Sequence, residues 1–462
     1  MVKVTCISLV ILILAVTACP ADTHYVSLAG TNNYPYTNWA DAATDITWSV
    51  SAAGADDTVL VTNGTYFTSN RMYSAVALTL QSVNGRDVTF INGASHTDSC
   101  AILTSSSSAI DGFTITNYNV PTSFGKVTQV KNAKNCRFVN NAGGLGGGIC
   151  SLYDSSSGII TNCIFKNNYS RNVGGGIYAA QAHPTYINAI TVVGCYFEAN
   201  TSAWSGGAID LRIDQCIVSN CVIINNFAGQ YSGGIYFEGG TVTNCIITKC
   251  TFTGNACNGG ETGRGQGGAI RAAGRTTISD CSFLYNIATN QGGAIYGRDI
   301  TTIQNCLIAR NGSLTNTGGG VYFQNTGTVE NCTIVSNYAK VSGGGIYLAG
   351  GSFTGTNNII YFNTAPNGAN FTNTAGNTGL NYSCVIPAVD GTGNITNNPA
   401  LLDLAGGNYR LRINSPCVNA GTNQAWMGNA VDLDGNLRIR YGIVDMGAYE
   451  AVLRQGNIYR VR

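Results

Sequence analysis

Nine asparagines recur along the middle of the chain, Asn141, Asn168, Asn200, Asn226, Asn255, Asn286, Asn311, Asn337 and Asn363. Their period is about 26 residues, in the range where internal repeats mean stacked supersecondary units. Each closes a unit of the type Asn135-Cys136-Arg137-Phe138-Val139-Asn140-Asn141. A few residues later comes a glycine-rich step, as in Gly147-Gly148-Ile149, Gly207-Ala208-Ile209, Gly268-Ala269-Ile270, Gly293-Ala294-Ile295 and Gly344-Gly345-Ile346. One repeat reads as one turn of a solenoid.

Within a repeat the apolar residues alternate, Cys163 and Phe165 against Ile164 and Lys166, and Ile235 and Phe237 against Tyr236 and Glu238. That is strand periodicity, and the glycine pairs oppose a helix interior. Short strands joined by Gly and Asn corners, once per turn, predict an all-β parallel β-helix in which each coil pairs with its neighbours. Asn at a sharp corner tolerates a left-handed backbone, and stacked amides can hydrogen-bond up the column. With roughly twelve coils at about 4.8 Å each, the solenoid would run on the order of 60 Å.

The chain has 462 residues, of which 59 are Gly, and only 10% are charged, with a net charge of +1. A solenoid tolerates so few charges when its polar surface is Asn, Ser and Thr. No basic cluster marks the coils, so nucleic acid is not an expected partner. Seventeen cysteines would suggest disulfides if the chain is exported, as its N-terminus, read below, implies. Here Cys136, Cys163, Cys195, Cys221, Cys250, Cys281, Cys306 and Cys332 hold equivalent inward positions, with Asn358 next in the slot. They are expected as a ladder of buried free thiols, with disulfides between neighbouring coils as the alternative. Zinc is not expected, because no Cys-x-x-Cys pair occurs and His24, His96 and His183 are scattered.

Residues 1–18 read as a signal peptide, with Lys3 ahead of an apolar run from Ile7 to Val16 that is too short to span a bilayer. Val16-Thr17-Ala18-Cys19 is similar to a lipobox, in which Cys19 would be acylated. Ordinary cleavage near Ala18 or Ala21 is the alternative. Residues 22–70 form an N-terminal cap and first coil: a strand from His24 to Leu28, then Trp39, Ala43, Ile46 and Val50 at helical spacing behind Asn38 as N-cap. A capping helix from about Trp39 to Ala53 is expected, since an open solenoid end exposes strand edges and core. Strands Thr58–Thr62 and Ala77–Gln81 follow. The β-helix repeats are placed at 71–390, and final coils with a C-terminal cap at 391–462, Ser383 to Ile413 being irregular coils. Asp432-Leu433-Asp434-Gly435 has the look of a calcium loop, but the remaining ligand positions are missing. The segment reads as a turn stitched to the last coil by Asp and Arg pairs.

The paired motifs Phe197–Asn200 with Gly206–Ile209, and Phe283–Asn286 with Gly292–Ile295, resemble the repeats of chlamydial-type polymorphic outer membrane proteins. The tail Asp432–Glu450, with Tyr25-Val26-Ser27 and Asp57–Tyr66, resembles secreted bacterial right-handed β-helix proteins of the choice-of-anchor kind. These resemblances imply a right-handed solenoid and a place at the cell surface, in the outer membrane or outside the cell. They say little about activity. Membrane-barrel autotransport is not expected, since a barrel needs many alternating strands and twelve residues follow Glu450.

The residue after each repeat's Ile or Val gives a column: Cys150, Tyr178, Asp210, Tyr236, Arg271, Tyr296, Tyr322 and Tyr347. If it faces outward, Tyr178, Tyr236, Arg271, Tyr296, Tyr322 and Tyr347 form an aromatic strip suited to stacking on sugar rings. Arg212, Glu238 and Arg298 lie two positions on. Asp210, Arg212 and Asp214 alternate with inward Leu211 and Ile213, so all three are expected to face solvent. Any catalytic site would use Asp210, Arg212, Asp214 and Glu238, since β-helix lyases combine calcium-binding carboxylates with a base and β-helix glycosidases use paired carboxylates. The chain lacks the Gly-His-Gly and Arg-Ile-Lys signatures of polygalacturonase-like enzymes. Three functions follow: a monomeric surface protein or adhesin binding polysaccharide without cofactor, a polysaccharide lyase (then with calcium) or hydrolase, and a rod whose tyrosines only cover a sheet.

Overall fold

The computed structural model describes residues 21–452, apart from 69, 94–96, 154–156, 182–188, 239–243, 260–262 and 377. The expected signal peptide, Cys19, His96 and His183 lie outside the described residues. The chain winds into a right-handed parallel β-helix of about 11 turns. One coil runs Gly158–Thr161, Ile164–Lys166, Tyr169–Val173, Ile177–Gln181, and these four strands open sheets we number 1 to 4. Among the described residues, sheets 1 to 4 hold 14, 13, 8 and 12 strands in sequential order.

The alternation read from the sequence sets the register. Phe138, Phe165, Phe197, Ile223, Phe252, Phe283 and Ile308 pair coil on coil inside sheet 2. Their rings stack along the axis, with centroids 5.0 Å apart for Phe138–Phe165 and 4.8 Å for Phe165–Phe197. The thiols form the expected ladder: the described cysteines are free and buried, and the Cys163, Cys195 and Cys221 N–H groups each donate to the next coil's Sγ at 3.4 Å. Asn358 continues the slot, its Oδ1 accepting from Cys332 N at 2.9 Å.

The asparagine column is also a ladder. Asn255 Oδ1 accepts from both the backbone N and Nδ2 of Asn226, and Asn255 Nδ2 donates to Asn286 Oδ1 and Ile223 O. The corner geometry differs from expectation, because the left-handed residue is the one before each laddered Asn. That place is held by Asn140, Asn167, Ala199, Asn225, Tyr285, Arg310 and Ser336. Ladder positions need an amide, while the corner accepts other residue types. The glycine step has a separate cause. In Gly206-Gly207-Ala208, Gly206 has φ +61°, and a Cβ on Gly207 would lie 2.3 Å from the next coil's Gly233 O. The third place admits Ala.

The N-terminal cap departs from the sequence reading. Its helix α1 spans only Ile46–Ala52, capped by Asp45, whose Oδ1 accepts from Thr47 N at 2.8 Å. Asn38 instead closes a turn onto Asp41. The reason is strand pairing: Ala43 exchanges backbone hydrogen bonds with Tyr25 and Ser27, which holds this stretch extended and leaves Trp39 exposed. The strands that follow are Asp57–Val61 and Leu78–Ser82.

The C-terminal region does not continue the coils. After Cys384–Val385 comes an antiparallel hairpin, Leu401–Asp403 with Asn408–Leu411. The chain then folds back across the outer face of sheet 2. Leu307, Ala309, Val335 and Ile359 point outward there, and they are buried against Met446, Ala448 and Tyr449. Ala448 N donates to Thr333 Oγ1, and Gly447 N to Asn357 O. Arg438, fully buried, holds this flap together through Glu450 (2.9 Å) and Gly447 O (2.7 Å). The Asp432–Asp434 segment is a tight turn, since Asp432 carboxylate oxygens accept from the N–H groups of Asp434, Asn436 and Glu450.

Candidate functional site

The column after each repeat's Ile or Val is in perfect register on sheet 4: Cys150, Tyr178, Asp210, Tyr236, Arg271, Tyr296, Tyr322 and Tyr347 are consecutive partners. It points away from the core, yet it is recessed. Tyr296 is 4% and Tyr322 7% exposed, while Tyr178 and Tyr347 are half-buried. On one side stands a bridged column formed by the residue before each glycine step: Ser205, Tyr231, Gln266 and Gln291. On the other lie the more open side chains of Arg212, Glu238, Arg298 and Gln324. The result is a shallow trough along the axis. Over six coil steps of about 4.8 Å, Tyr178 to Tyr347 spans about 29 Å.

The trough floor is an aromatic and guanidinium ladder. Tyr296 and Tyr322 stack with centroids 5.0 Å apart, and Tyr322 and Tyr347 at 5.5 Å. Arg271 fills the next rung, 5.1 Å from the Tyr236 ring and 5.6 Å from that of Tyr296. Arg212 is placed the same way between Tyr178 and Tyr236, at 5.7 and 5.9 Å. Such cation–π contacts hold the guanidinium groups in fixed planes. A consequence overturns the stacking expectation: the inner rings give their faces to one another. What they turn to the trough is ring edge and hydroxyl, as where Tyr296 Oη donates to Gln324 Oε1 at 2.6 Å.

The proposed acidic face is only partly assembled. Asp210 does not face solvent, because its side chain is fully buried under the wall column. It accepts from Ser205 Oγ and, at 2.9 Å, from Arg212 Nε. Burial pushes its carboxyl above the ordinary range, against the opposing pull of Arg212. Arg212 also pairs with Glu238 at 3.1 Å, so one guanidinium bridges two carboxylates. Asp214 lies beyond the strand, which ends at Arg212, in a bend where it is half-buried. A feature the sequence reading missed is Trp204 on the trough rim, 49% exposed, with the Arg264 guanidinium 5.5 Å from its ring. Its signal was a lone indole immediately before a wall residue. Among the described residues no group of three His, Cys, Asp or Glu side chains is placed to hold a metal, and no helix is long and apolar enough to cross a membrane.

Comparison with known proteins matches residues 204–365 to the right-handed β-helix region and residues 162–180 to the Chlamydia polymorphic membrane protein repeat. The right-handed β-helix match thus covers about a third of the chain, in agreement with its fold, and the polymorphic membrane protein repeat is matched at one short stretch. Metabotropic glutamate receptor-like protein R of Dictyostelium discoideum is 29% identical over 141 residues, which is 30% of this chain and 8% of that protein. Among solved structures, pectate lyase Pel9A shares 13% identity at a TM-score of 0.42, covering 94% of this chain and 98% of that one. The catalytic unit of a GH87 alpha-1,3-glucanase from Streptomyces thermodiastaticus shares 14% at 0.35, covering 72% and 67%. This similarity is too low to transfer an activity.

Proposed function

We propose that the protein is an exported, monomeric surface β-helix that binds a linear polysaccharide in the sheet 4 trough. The observation that carries this reading is the ladder from Tyr178 to Tyr347. It is a straight, preorganised array of hydroxyl and guanidinium donors, repeating once per coil as a polymer repeats its monomers. Because the inner ring faces are occupied, recognition runs through hydrogen bonds from phenol edges and from the flanking Arg212, Arg298 and Gln324. Catalysis fits less well. Asp210 is enclosed by Ser205 and Arg212, and Arg212 ties both candidate carboxylates to one cation.

The test is retention of the full chain on immobilised neutral and acidic polysaccharides, with and without calcium, alongside measurement of new reducing ends and unsaturated products. The expected result is retention without turnover. It should weaken at least about tenfold, from about 0.5 kcal/mol or more for each of the three lost hydroxyls, when Tyr236, Tyr296 and Tyr322 are changed together to Phe, since stacking survives and hydroxyls are lost. Turnover abolished by Asp210→Asn would replace this reading with an enzymatic one. Absence of retention across the panel would leave a structural rod.

A further inference from the structure

A second cleft, of about 630 Å³, opens on a different part of the coil, where the C-terminal flap starts to cover sheet 2. Outward positions in the earlier coils, Thr251 and Ser282, are half-buried, whereas their successors Leu307 and Thr333 lie beneath the flap. The edge of the flap therefore makes a step. Trp426 and residues 429–434 form one wall, and the corner residues Lys249 and Asp280 form the other. The wall is fixed to the solenoid: Asn305 Nδ2 donates to Val431 O at 2.8 Å, Gln424 Nε2 reaches Glu330 Oε1 at 3.4 Å, and Trp426 Nε1 is held by Gln424 Oε1 at 2.9 Å. The Arg410–Asp434 ion pair closes the far end.

The lining combines a half-buried indole with hydroxyls from Thr251 and Ser282, the exposed Asn429 amide, and Lys249, which forms no ion pair among the described residues. Its fixed charges are two positive, Lys249 and Arg410, and three negative, Asp280, Asp432 and Asp434. The net of −1 gives an anion no attraction. An apolar platform beside mixed donors and acceptors, in a cavity of small-ligand size, matches a neutral polyol ring with one apolar face.

We propose that this cleft is a binding site for a short neutral oligosaccharide unit, stacked on Trp426 and hydrogen-bonded to Lys249, Asp280 and Asn429. The site stands independently of the trough on sheet 4. The experiment is saturation-transfer NMR and titration of the full chain with neutral tetrasaccharides of glucose, mannose, xylose and N-acetylglucosamine, with a uronate tetrasaccharide as charged control. Trp426→Ala and Ser282→Trp, the latter filling the cleft from a half-buried strand position, should each weaken binding of the retained neutral probe at least tenfold. The joint change of Tyr236, Tyr296 and Tyr322 to Phe, which perturbs the trough and touches none of the cleft's lining, should leave it unchanged. If Trp426→Ala loosens the flap, seen as new proteolysis after residue 415, Ser282→Trp decides alone. No binding of any neutral probe at millimolar concentration, binding indifferent to Ser282→Trp, or a preference for the uronate would each overturn the proposal. Weakened binding in the chain with all three tyrosines changed would assign the ligand to the trough instead.

Discussion

Replacing Asn255 by Ala tests whether the stacked amides hold the solenoid together. The substitution removes four buried hydrogen bonds: two accepted from Asn226, one donated to Ile223 O and one to Asn286 Oδ1. It leaves the Asn226 backbone N–H without its acceptor at a site 1% exposed. An orphaned buried donor costs about 1–3 kcal/mol and each of the three further lost bonds about 1 kcal/mol, so the expected loss is roughly 4–6 kcal/mol. The neighbouring corner supplies the control. Asn225 has φ +54°, and Ala199 holds the equivalent place in the preceding coil at φ +53°, so Asn225→Ala should cost no more than about 1–2 kcal/mol. Urea unfolding by circular dichroism gives both values, with amide exchange at residues 222–228 reporting local opening. If the two substitutions cost the same, or Asn255→Ala costs under about 1 kcal/mol, the corner backbone and not the amide ladder is what these asparagines serve.

Other outcomes follow from the same structure. The described cysteines are buried, and burial pushes the Cys100, Cys150 and Cys257 thiols up to about 12. These fifteen cysteines should therefore be silent to a thiol reagent at pH 8, mapped by peptide, and react fully once denatured without reductant; silence after denaturation would mean disulfides. In the flap, burial raises the Glu450 carboxyl to about 8 and that of Asp445 upward. A proton held more tightly by the folded than the unfolded state adds stability that is complete below about pH 4.5 and is lost as pH rises through 8. Proteolytic nicking of residues 415–451 should thus accelerate between pH 6 and 9, and a rate that falls over that range, once corrected for the protease, would contradict this cause.

The repeats were legible because a solenoid writes its register into the chain: the inward Ile, Cys and Phe columns and the tyrosine column follow directly from alternation. What alternation could not show was depth. Asp210 is outward by period, and it is buried because Ser205, at the bridged place before the glycine step, stands over it. Outward means away from the core, and a wall can still enclose it. The flap left no clear trace. Sheet 2 carries Leu307, Ala309, Val335 and Ile359 outward beneath it, but Val222 and Ile224 are also outward in earlier coils, so apolar outward residues do not by themselves mark the covered stretch. The short cap helix was misjudged because helical spacing from Trp39 onward competed with strand pairing at Ala43, and pairing won.

The most direct measurement of the central claim is amide hydrogen exchange of the full chain, free and saturated with the polysaccharide that retains it. Binding in the trough should add protection over Ile209–Arg212, Ile235–Phe237, Ile295–Gly297 and Val321–Phe323, with sheet 1 unchanged. Protection confined to sheet 1, or no change in sheet 4 at saturation, would contradict it.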